Sequence, residues 1–410
     1  MSVTSFRDVL RVREFRWLWF ADLQSLFGDQ LARVALSVLV FERTGSGLLT
    51  AGVYALTYLP ALIGSVVLGP LADRIPRRRL LVAADALQAV LLAAMAVPAV
   101  PVGAVAALLV AAVVVGTPWK AAESALVAEI LEGEGYALGA GLRVATVQGA
   151  QLIGFAVGGA AVAVIGARTA LAIDAVTFAI SAVLIASTLR PRPAAGGTQP
   201  RRWRDGIALV AGDRRLRSLL GLSWLAGLFV VPEGLAAPYA AQLGGGAAAI
   251  GLLLAAGPAG AMVGSLIFVR LLAEPVRARL VGPFAMLAGV PLLACLAHPG
   301  LTVTIVLWAL CGACSGYQVQ VITEFVHTVP NDGLGQAIAV ASAGLLAVQG
   351  VGLLLGGAVA QVSTTYLAVG VAGAAGIVLA GGLAANRLHQ ARRAAPTRLP
   401  RRADVAGPAQ

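Results

Sequence analysis

Charged side chains are scarce in this sequence. Of its 410 residues, 12% are charged and 59% are hydrophobic, whereas about a quarter of the residues of a soluble domain are charged. This composition excludes an ordinary soluble protein. Apolar runs of about 18 residues or more, the length that a helix needs to cross a bilayer, recur along the chain. The sequence therefore predicts a polytopic membrane protein.

Residue types that support common enzyme chemistry are also few. The only lysine, Lys120, does not follow a glycine-rich stretch, so the chain has no P-loop for ATP. The three histidines are scattered, without an HExxH or Gly-x-Ser-x-Gly motif. Cys311 and Cys314 have CxxC spacing, but no second pair completes a zinc set, so we expect them to pack among small residues. We expect neither an enzyme, nor a cofactor, nor a metal site.

Twelve apolar runs predict twelve membrane spans, which we number in chain order. They lie at about 17–41, 48–70, 80–97, 102–119, 142–166, 169–189, 217–239, 247–269, 280–297, 301–323, 336–359 and 364–385. The longest polar connection divides them six and six. The predicted organisation is a six-helix N-terminal half (1–189), a cytoplasmic linker (190–216), a six-helix C-terminal half (217–386) and a disordered tail (387–410).

Positive charge is unevenly distributed between the two sides of this arrangement. All but four of the 30 Lys and Arg residues lie in the terminal segments, or in the connections on the same side of the membrane as the termini. Because cytoplasmic loops are enriched in Lys and Arg, we expect a multi-pass protein of the cell membrane with both termini in the cytoplasm. The net charge of +11 then needs no nucleic acid, and the expected partners of a monomer are membrane lipid and a small-molecule substrate.

A glycine pattern occurs in both halves. Gln151, Gly154, Gly158 and Gly159 form Q-x-x-G-x-x-x-G-G in span 5, and the same pattern starts at Gln349 in span 11. Glycines four residues apart allow helices to approach closely. One copy could reflect ordinary packing, whereas two copies at equivalent spans indicate a duplicated six-helix unit.

The basic connection between spans 2 and 3 resembles a signature of the major facilitator superfamily. The matching residues are Gly69, Asp73, Arg74, Arg77 and Arg78. Pro76 stands where that family more often has glycine, and proline also favours a tight turn. The resemblance implies that this loop holds the cytoplasmic ends of the two halves together. The alternative is a solvent-exposed turn whose arginines only set the orientation of the protein in the membrane.

Other stretches resemble exporters of the same superfamily. The glycines of span 5 are similar to its antiporter signature, with Phe155 in place of a proline, and residues 15–40 and 171–178 resemble the macrolide-efflux and enterobactin-export branch. The resemblance covers residues 10–390. It implies an all-α major facilitator fold and proton-coupled efflux of a small amphipathic molecule such as a drug, a secondary metabolite or a siderophore. An importer or facilitator of a small nutrient is the alternative, and a membrane enzyme is disfavoured.

Ionisable residues inside spans are costly and therefore mark candidate sites. Asp22, Asp29 and Arg33 share one face of span 1, because they are spaced i, i+7 and i+11. Asp29 lies near the midplane and can pair with Arg33 four residues later. Either this is a structural ion pair, or Asp29 binds protons or a cationic substrate. Glu233 is the only acid of span 7, and adjacent Pro232 predicts a bend facing a cavity.

The remaining polar residues of the spans are weaker candidates. We expect Gln148 and Gln151 to line the transport cavity, and Arg143 to face the cytoplasmic gate. Asp85 and Asp174 are predicted to make structural or gate contacts.

Many proton-coupled exporters of the resembled superfamily carry an arginine within span 4. In this sequence, span 4 has no charge before Lys120, so that arginine is not assigned in span 4, and Arg33 is the candidate to serve instead.

Overall fold

The computed structural model describes residues 5–131, 133–194, 203–330 and 333–394. These residues contain helices and no strands. Eleven of the helices that they form are long and apolar enough to cross a membrane. The twelfth span is the 32-residue helix Arg13–Thr44, which has sufficient length but carries more charge. The prediction of an all-helical bundle of twelve spans is confirmed.

The spans keep their predicted order, with shifted ends. Their bounds are Arg13–Thr44, Gly47–Val67, Arg77–Ala96, Val102–Ile130, Glu134–Ile165, Ala167–Thr188, Arg214–Gly234, Ala247–Leu271, Glu274–Ala297, Leu301–Thr328, Leu334–Val362 and Thr365–Ala394. Span 4 is the most extended relative to its predicted end near residue 119. Span 12 continues to Ala394, into the segment predicted as a disordered tail, and residues 395–410 lie outside the described part.

Span 7 is interrupted where the sequence predicts a bend. Its segments are Arg214–Trp224, Ala226–Phe229 and Val231–Gly234, and the chain continues as the helix Ala236–Gln242. Pro232 lacks the N–H that a continuous helix would use, and Gly234 has a high conformational freedom that weakens a helix. The predicted bend at Glu233 is confirmed, and it brings this carboxylate to the face that meets the other half.

The two halves are hydrogen-bonded to each other toward one end of the bundle. We call the end where span 1 begins and span 12 ends the terminal side, and the opposite end the far side. Two hydrogen bonds join the halves toward the far side: Ser46 Oγ donates to Gln361 Oε1 at 2.8 Å, and the Tyr54 hydroxyl donates to Glu233 Oε2 at 2.9 Å. Span 2 of the N-terminal half is therefore in contact with spans 7 and 11 of the C-terminal half.

The repeated glycines explain how these helices approach each other. In span 5, Gly154 and Gly158 pack against Gln30 and Leu31 of span 1, and the next glycine, Gly159, packs against the backbone of Gly251 in span 8. The first two glycines of the motif thus contact their own half, and the third contacts the other half.

Span 11 repeats this arrangement with equivalent partners. Gly352 and Gly356 pack against span 7 of the same half, whereas Gly357 packs against Leu48 and Ala51 of span 2 in the other half. The pattern in the sequence therefore corresponds to a pseudo-twofold pair of contacts between the halves.

Two arginines fix the far-side connection between spans 3 and 4. Arg43 donates to the carbonyl oxygens of Val100 and Pro98, at 2.7 and 2.9 Å. Arg168 donates to the carbonyl of Val97 at 2.6 Å and to that of Pro98 at 3.1 Å. These arginines hydrogen-bond the backbone carbonyls of the turn, and the carbonyl of Val97 also accepts from the Val100 N–H.

Candidate functional site

A hydrogen bond between the halves marks the most polar point of the interior. Tyr54 from span 2 donates to Glu233 from span 7. Tyr54 is 3% exposed, and Glu233 is half-buried. A hydrogen bond to an ionised carboxylate is stronger than one between neutral groups, so this contact links the position of one half to the charge of a residue in the other.

An arginine from span 1 lies beside this pair. The Arg33 guanidinium carbon is 5.8 Å from the centroid of the Tyr58 ring, within the range of a cation–π contact. Arg33 also interacts electrostatically with Asp29, one turn earlier, and with Glu233. We call Asp29, Arg33, Tyr54, Tyr58 and Glu233 the central cluster.

The central cluster holds more acids than bases. It has two carboxylates and one guanidinium, in a region where an unbalanced charge is costly. A bound proton, or a cationic group of a substrate, would balance the second carboxylate. Asp29, Arg33 and Glu233 are each half-buried rather than sealed. The cluster can therefore exchange a proton or bind a charged group.

Three of these five residues were predicted from the sequence. The predicted cavity set was Asp22, Asp29, Arg33, Gln148, Gln151 and Glu233, and the structure brings Asp29, Arg33 and Glu233 together. Tyr54 and Tyr58 were not selected, although tyrosines four residues apart share one face of a helix and span 2 is otherwise apolar. The four-residue spacing of the two tyrosines was the feature of the sequence that could have identified them.

Asp22 has its contacts elsewhere. Although it shares a face of span 1 with Asp29, its carboxylate lies 4.0 Å from Nε of Arg143 in span 5. Arg143 also donates a hydrogen bond to Glu123 of span 4. We call Asp22, Glu123 and Arg143 the terminal-side trio. In this structure Arg143 connects three helices of the N-terminal half, and its predicted position facing the cytoplasmic gate stays a prediction.

Glu123 was not selected, because the predicted span 4 ended near residue 119. The helix Val102–Ile130 instead carries Lys120 and Glu123 well inside its length. Lys120 is exposed, and it interacts electrostatically with Asp22, Asp29 and Glu123. The polar residues of spans 1 and 4 thus extend from the terminal-side trio to the central cluster.

Two other buried acids of the N-terminal half lie where helices pack together. Asp85 of span 3 accepts a hydrogen bond of 2.6 Å from Ser181 of span 6. Asp174 of span 6 is fully buried against Gly28 of span 1 and accepts a hydrogen bond from Thr177. Both are structural contacts, one of the two roles predicted for them.

The predicted cavity glutamines lie on span 5. Gln148 is exposed, and Gln151 is half-buried. Neither belongs to the central cluster as defined by these contacts.

The basic loop between spans 2 and 3 contacts its own half. It includes the short helix Leu71–Arg74, which contains Asp73, and it follows Gly69, where a Cβ atom would collide with the carbonyl of Ser65. Arg77 forms an ion pair with Glu129 at the end of span 4, and Arg78 donates to the carbonyl of Ala186 at the end of span 6.

An ion-pair network continues from this loop to span 1. Arg192, in the linker, pairs with Glu14 at 2.6 Å and lies 4.0 Å from Glu129. These contacts fasten the terminal side of the N-terminal half. The proposed role in holding the two halves together stays a prediction.

Within the described ranges, no three His, Cys, Asp or Glu side chains converge as metal ligands.

The family model of the Major Facilitator Superfamily matches residues 18–232, more than half of the chain. The chain belongs to this superfamily. The matched segment contains the whole central cluster except Glu233, which is the next residue.

Curated relatives match part of this superfamily member. The multidrug efflux pump Tap of Mycobacterium tuberculosis is 29% identical over 220 residues, which are 49% of this chain and 51% of the pump. The uncharacterized MFS-type transporter YkuC of Bacillus subtilis is 27% identical over 230 residues, 52% of this chain and 53% of YkuC. The aligned region thus spans about half the length of each relative.

Solved transporters share the fold over nearly the whole chain. A bacterial homolog of the human lysosomal transporter Spinster, in an inward-facing and occupied conformation, aligns with a TM-score of 0.74 and 14% identity over 92% of this chain and 96% of its own. The nucleoside transporter NupG aligns with a TM-score of 0.70 and 15% identity, over 92% of this chain and 99% of its own. At these identities the likeness shows the fold alone.

Proposed function

We propose that this protein is a proton-coupled exporter of a small amphipathic molecule, such as a drug, a secondary metabolite or a siderophore. It works by alternating access of two six-helix halves, residues 1–189 and 217–386, joined by the linker 190–216. The proton gradient supplies the energy, without a cofactor. The protein acts as a monomer in the cell membrane, surrounded by lipid and without nucleic acid. The observation that carries the proposal is the central cluster.

The central cluster couples a proton site to the movement of the halves. Rocking of the halves would separate Tyr54 from Glu233, because these residues belong to different halves. A neutral carboxylic acid attracts Arg33 less than a carboxylate does, and it accepts a weaker hydrogen bond. Protonation of Glu233 therefore weakens the contact between the halves. By linkage, separation of the halves changes the proton affinity by the same factor.

The distribution of arginines orients the transporter. The connections at the terminal side carry most of the positive charge, which favours the cytoplasm for that side. The far side, where Ser46 contacts Gln361 and Gly159 contacts Gly251, then faces outward. A state closed on that side takes up its substrate from the cytoplasm, as export requires.

The similarity to a multidrug efflux pump supports export. Import or facilitated uptake is the second candidate, because a nucleoside transporter and peptide transporters share this fold. Catalysis is disfavoured, since the family and the relatives that we report are transporters.

The test uses purified protein in liposomes with an imposed pH gradient and a panel of lipophilic compounds. We expect proton flux that depends on one of these compounds and is abolished by Asp29→Asn or Glu233→Gln, because each removes a proton-binding group. Glu42→Gln is the control, since Glu42 is an exposed acid at the far end of span 1. Proton flux that survives both central substitutions would exclude this site. Compound accumulation without a gradient would show facilitated uptake.

A further inference from the structure

The terminal-side trio contains two buried acids from different helices. Glu123 of span 4 is 1% exposed, and Asp22 of span 1 is 7% exposed. Both face Arg143 of span 5, which is hydrogen-bonded to Glu123 and lies 4.0 Å from Asp22. The two carboxylates therefore share one guanidinium.

The charges around this site do not balance when both acids are ionised. Arg143 is always protonated, so it compensates one negative charge. Lys120 is the other cation that interacts with the site, but its side chain is exposed to solvent. Asp29 of span 1 adds negative potential at Asp22, and Asp22 in turn adds negative potential at Asp85 of span 3. A buried carboxylate without a counter-charge is more costly than a carboxylic acid.

We propose that Asp22 and Glu123 bind one proton between them and form a second proton-binding site on the terminal side of the central cluster. The proton comes from water, and it forms an O–H bond on one carboxyl while Arg143 pairs with the other. The Arg143 side chain is 24% exposed, so the site is not sealed on all sides. This inference deepens the proposed function, because it adds a proton site between the terminal side and Asp29.

A nearby ion pair provides a matched control. Glu129 is on the same helix as Glu123, but its side chain is 41% exposed, and it has two arginines beside it, Arg77 and Arg192. Glu129→Gln therefore removes a carboxyl group of span 4 that lies outside the terminal-side trio.

The test is infrared spectroscopy of the purified full-length protein during a pH titration, which detects the C=O stretch of protonated carboxyl groups. We expect Glu123→Gln and Asp22→Asn each to remove the intensity of one protonated carboxyl, because either change leaves a single acid paired with Arg143. Arg143→Gln should add the intensity of one carboxyl, since both acids then become neutral. Glu129→Gln should change nothing.

Several results would contradict the proposal that Asp22 and Glu123 share a proton. An unchanged carboxyl band in both Glu123→Gln and Asp22→Asn would show a fully ionised structural trio. Loss in only one of them would exclude a shared proton. Size-exclusion profiles identify variants that do not fold, and either acid variant alone can still contradict the proposal.

This measurement needs no transport. A titrating band in a protein that moves no protons across liposomes would refute proton-coupled export and leave the site standing. Proton-coupled export by a protein that lacks the band would refute the shared proton site and leave the proposed function standing.

Discussion

The contact between Gly159 and Gly251 predicts the effect of a single methyl group on the transport cycle. A Cβ atom at position 159 would lie 2.5 Å from the Cα of Gly251 and 2.9 Å from the carbonyl oxygen of Ala247. Both are backbone atoms, which cannot rotate away. Since carbon atoms pack best at about 3.5–4.0 Å, Gly159→Ala forces spans 5 and 8 apart by about 1 Å.

The added methyl group of Gly159→Ala raises the free energy of the state that is closed on the far side. Overpacking a well-packed contact costs about 1–3 kcal/mol. Rocking of the halves relieves the clash, because the two glycines belong to different halves. Since 1.4 kcal/mol corresponds to a factor of ten, we expect the ratio of far-side-closed to far-side-open molecules to fall by about 5- to 150-fold.

Disulfide cross-linking measures this ratio. A Cβ atom at Gly47 would lie 3.5 Å from the Cβ of Ala360 in the other half, within the range of about 3.5–4.5 Å that a disulfide requires, so cysteines at these two positions should cross-link in the closed state. The assay needs a background without the three native cysteines. Gly159→Ala should slow cross-linking, and it should increase labelling of the Gly47→Cys variant by a membrane-impermeant thiol reagent.

Another glycine of the same span provides the control. A Cβ atom at Gly149 meets no atom within 4 Å, so Gly149→Ala should leave cross-linking unchanged. If Gly159→Ala behaves like this control, the close contact of spans 5 and 8 does not determine the closed state, and the reasoning is refuted.

The remaining predictions concern the hydrogen bond between the halves and the basic loop. Tyr54→Phe keeps the ring but removes the bond to Glu233; because a hydrogen bond to a charged group contributes about 1.5–3 kcal/mol, far-side cross-linking should slow by about tenfold or more. Unaltered cross-linking would show that this bond does not hold the halves together. Asp73→Asn should abolish transport in the liposome assay, with normal protein levels in the membrane. Undiminished transport would exclude a role for Asp73 in holding the terminal ends of the halves.

Part of the candidate site could be predicted because membrane burial makes charges conspicuous. Asp29, Arg33 and Glu233 are few polar residues in long apolar runs, and the structure brings them together. The bend at Glu233 followed from Pro232 and Gly234, since proline removes a hydrogen-bond donor from the helix.

The missed residues have two physical causes. Glu123 and Lys120 lie where span 4 continues beyond its apolar part, and hydropathy detects the apolar part of a helix rather than its hydrogen-bonded end. Tyr54 and Tyr58 are ordinary in a membrane helix, where the apolar ring hides the polar hydroxyl. Their roles depend on Glu233 and Arg33, which come from other helices.

The sequence by itself determined that the chain lies in a lipid bilayer, how many spans it has and that a six-helix unit is duplicated. Length, hydropathy and a repeated glycine motif are local properties of the chain. Only the tertiary structure decided which acid meets which base. Asp22 and Asp29 share one face of one helix, yet Asp22 lies 4.0 Å from Arg143, whereas Asp29 interacts electrostatically with Lys120 and Arg33. Periodicity gives the direction of a side chain about its own helix axis, whereas its partner depends on how the neighbouring helices cross.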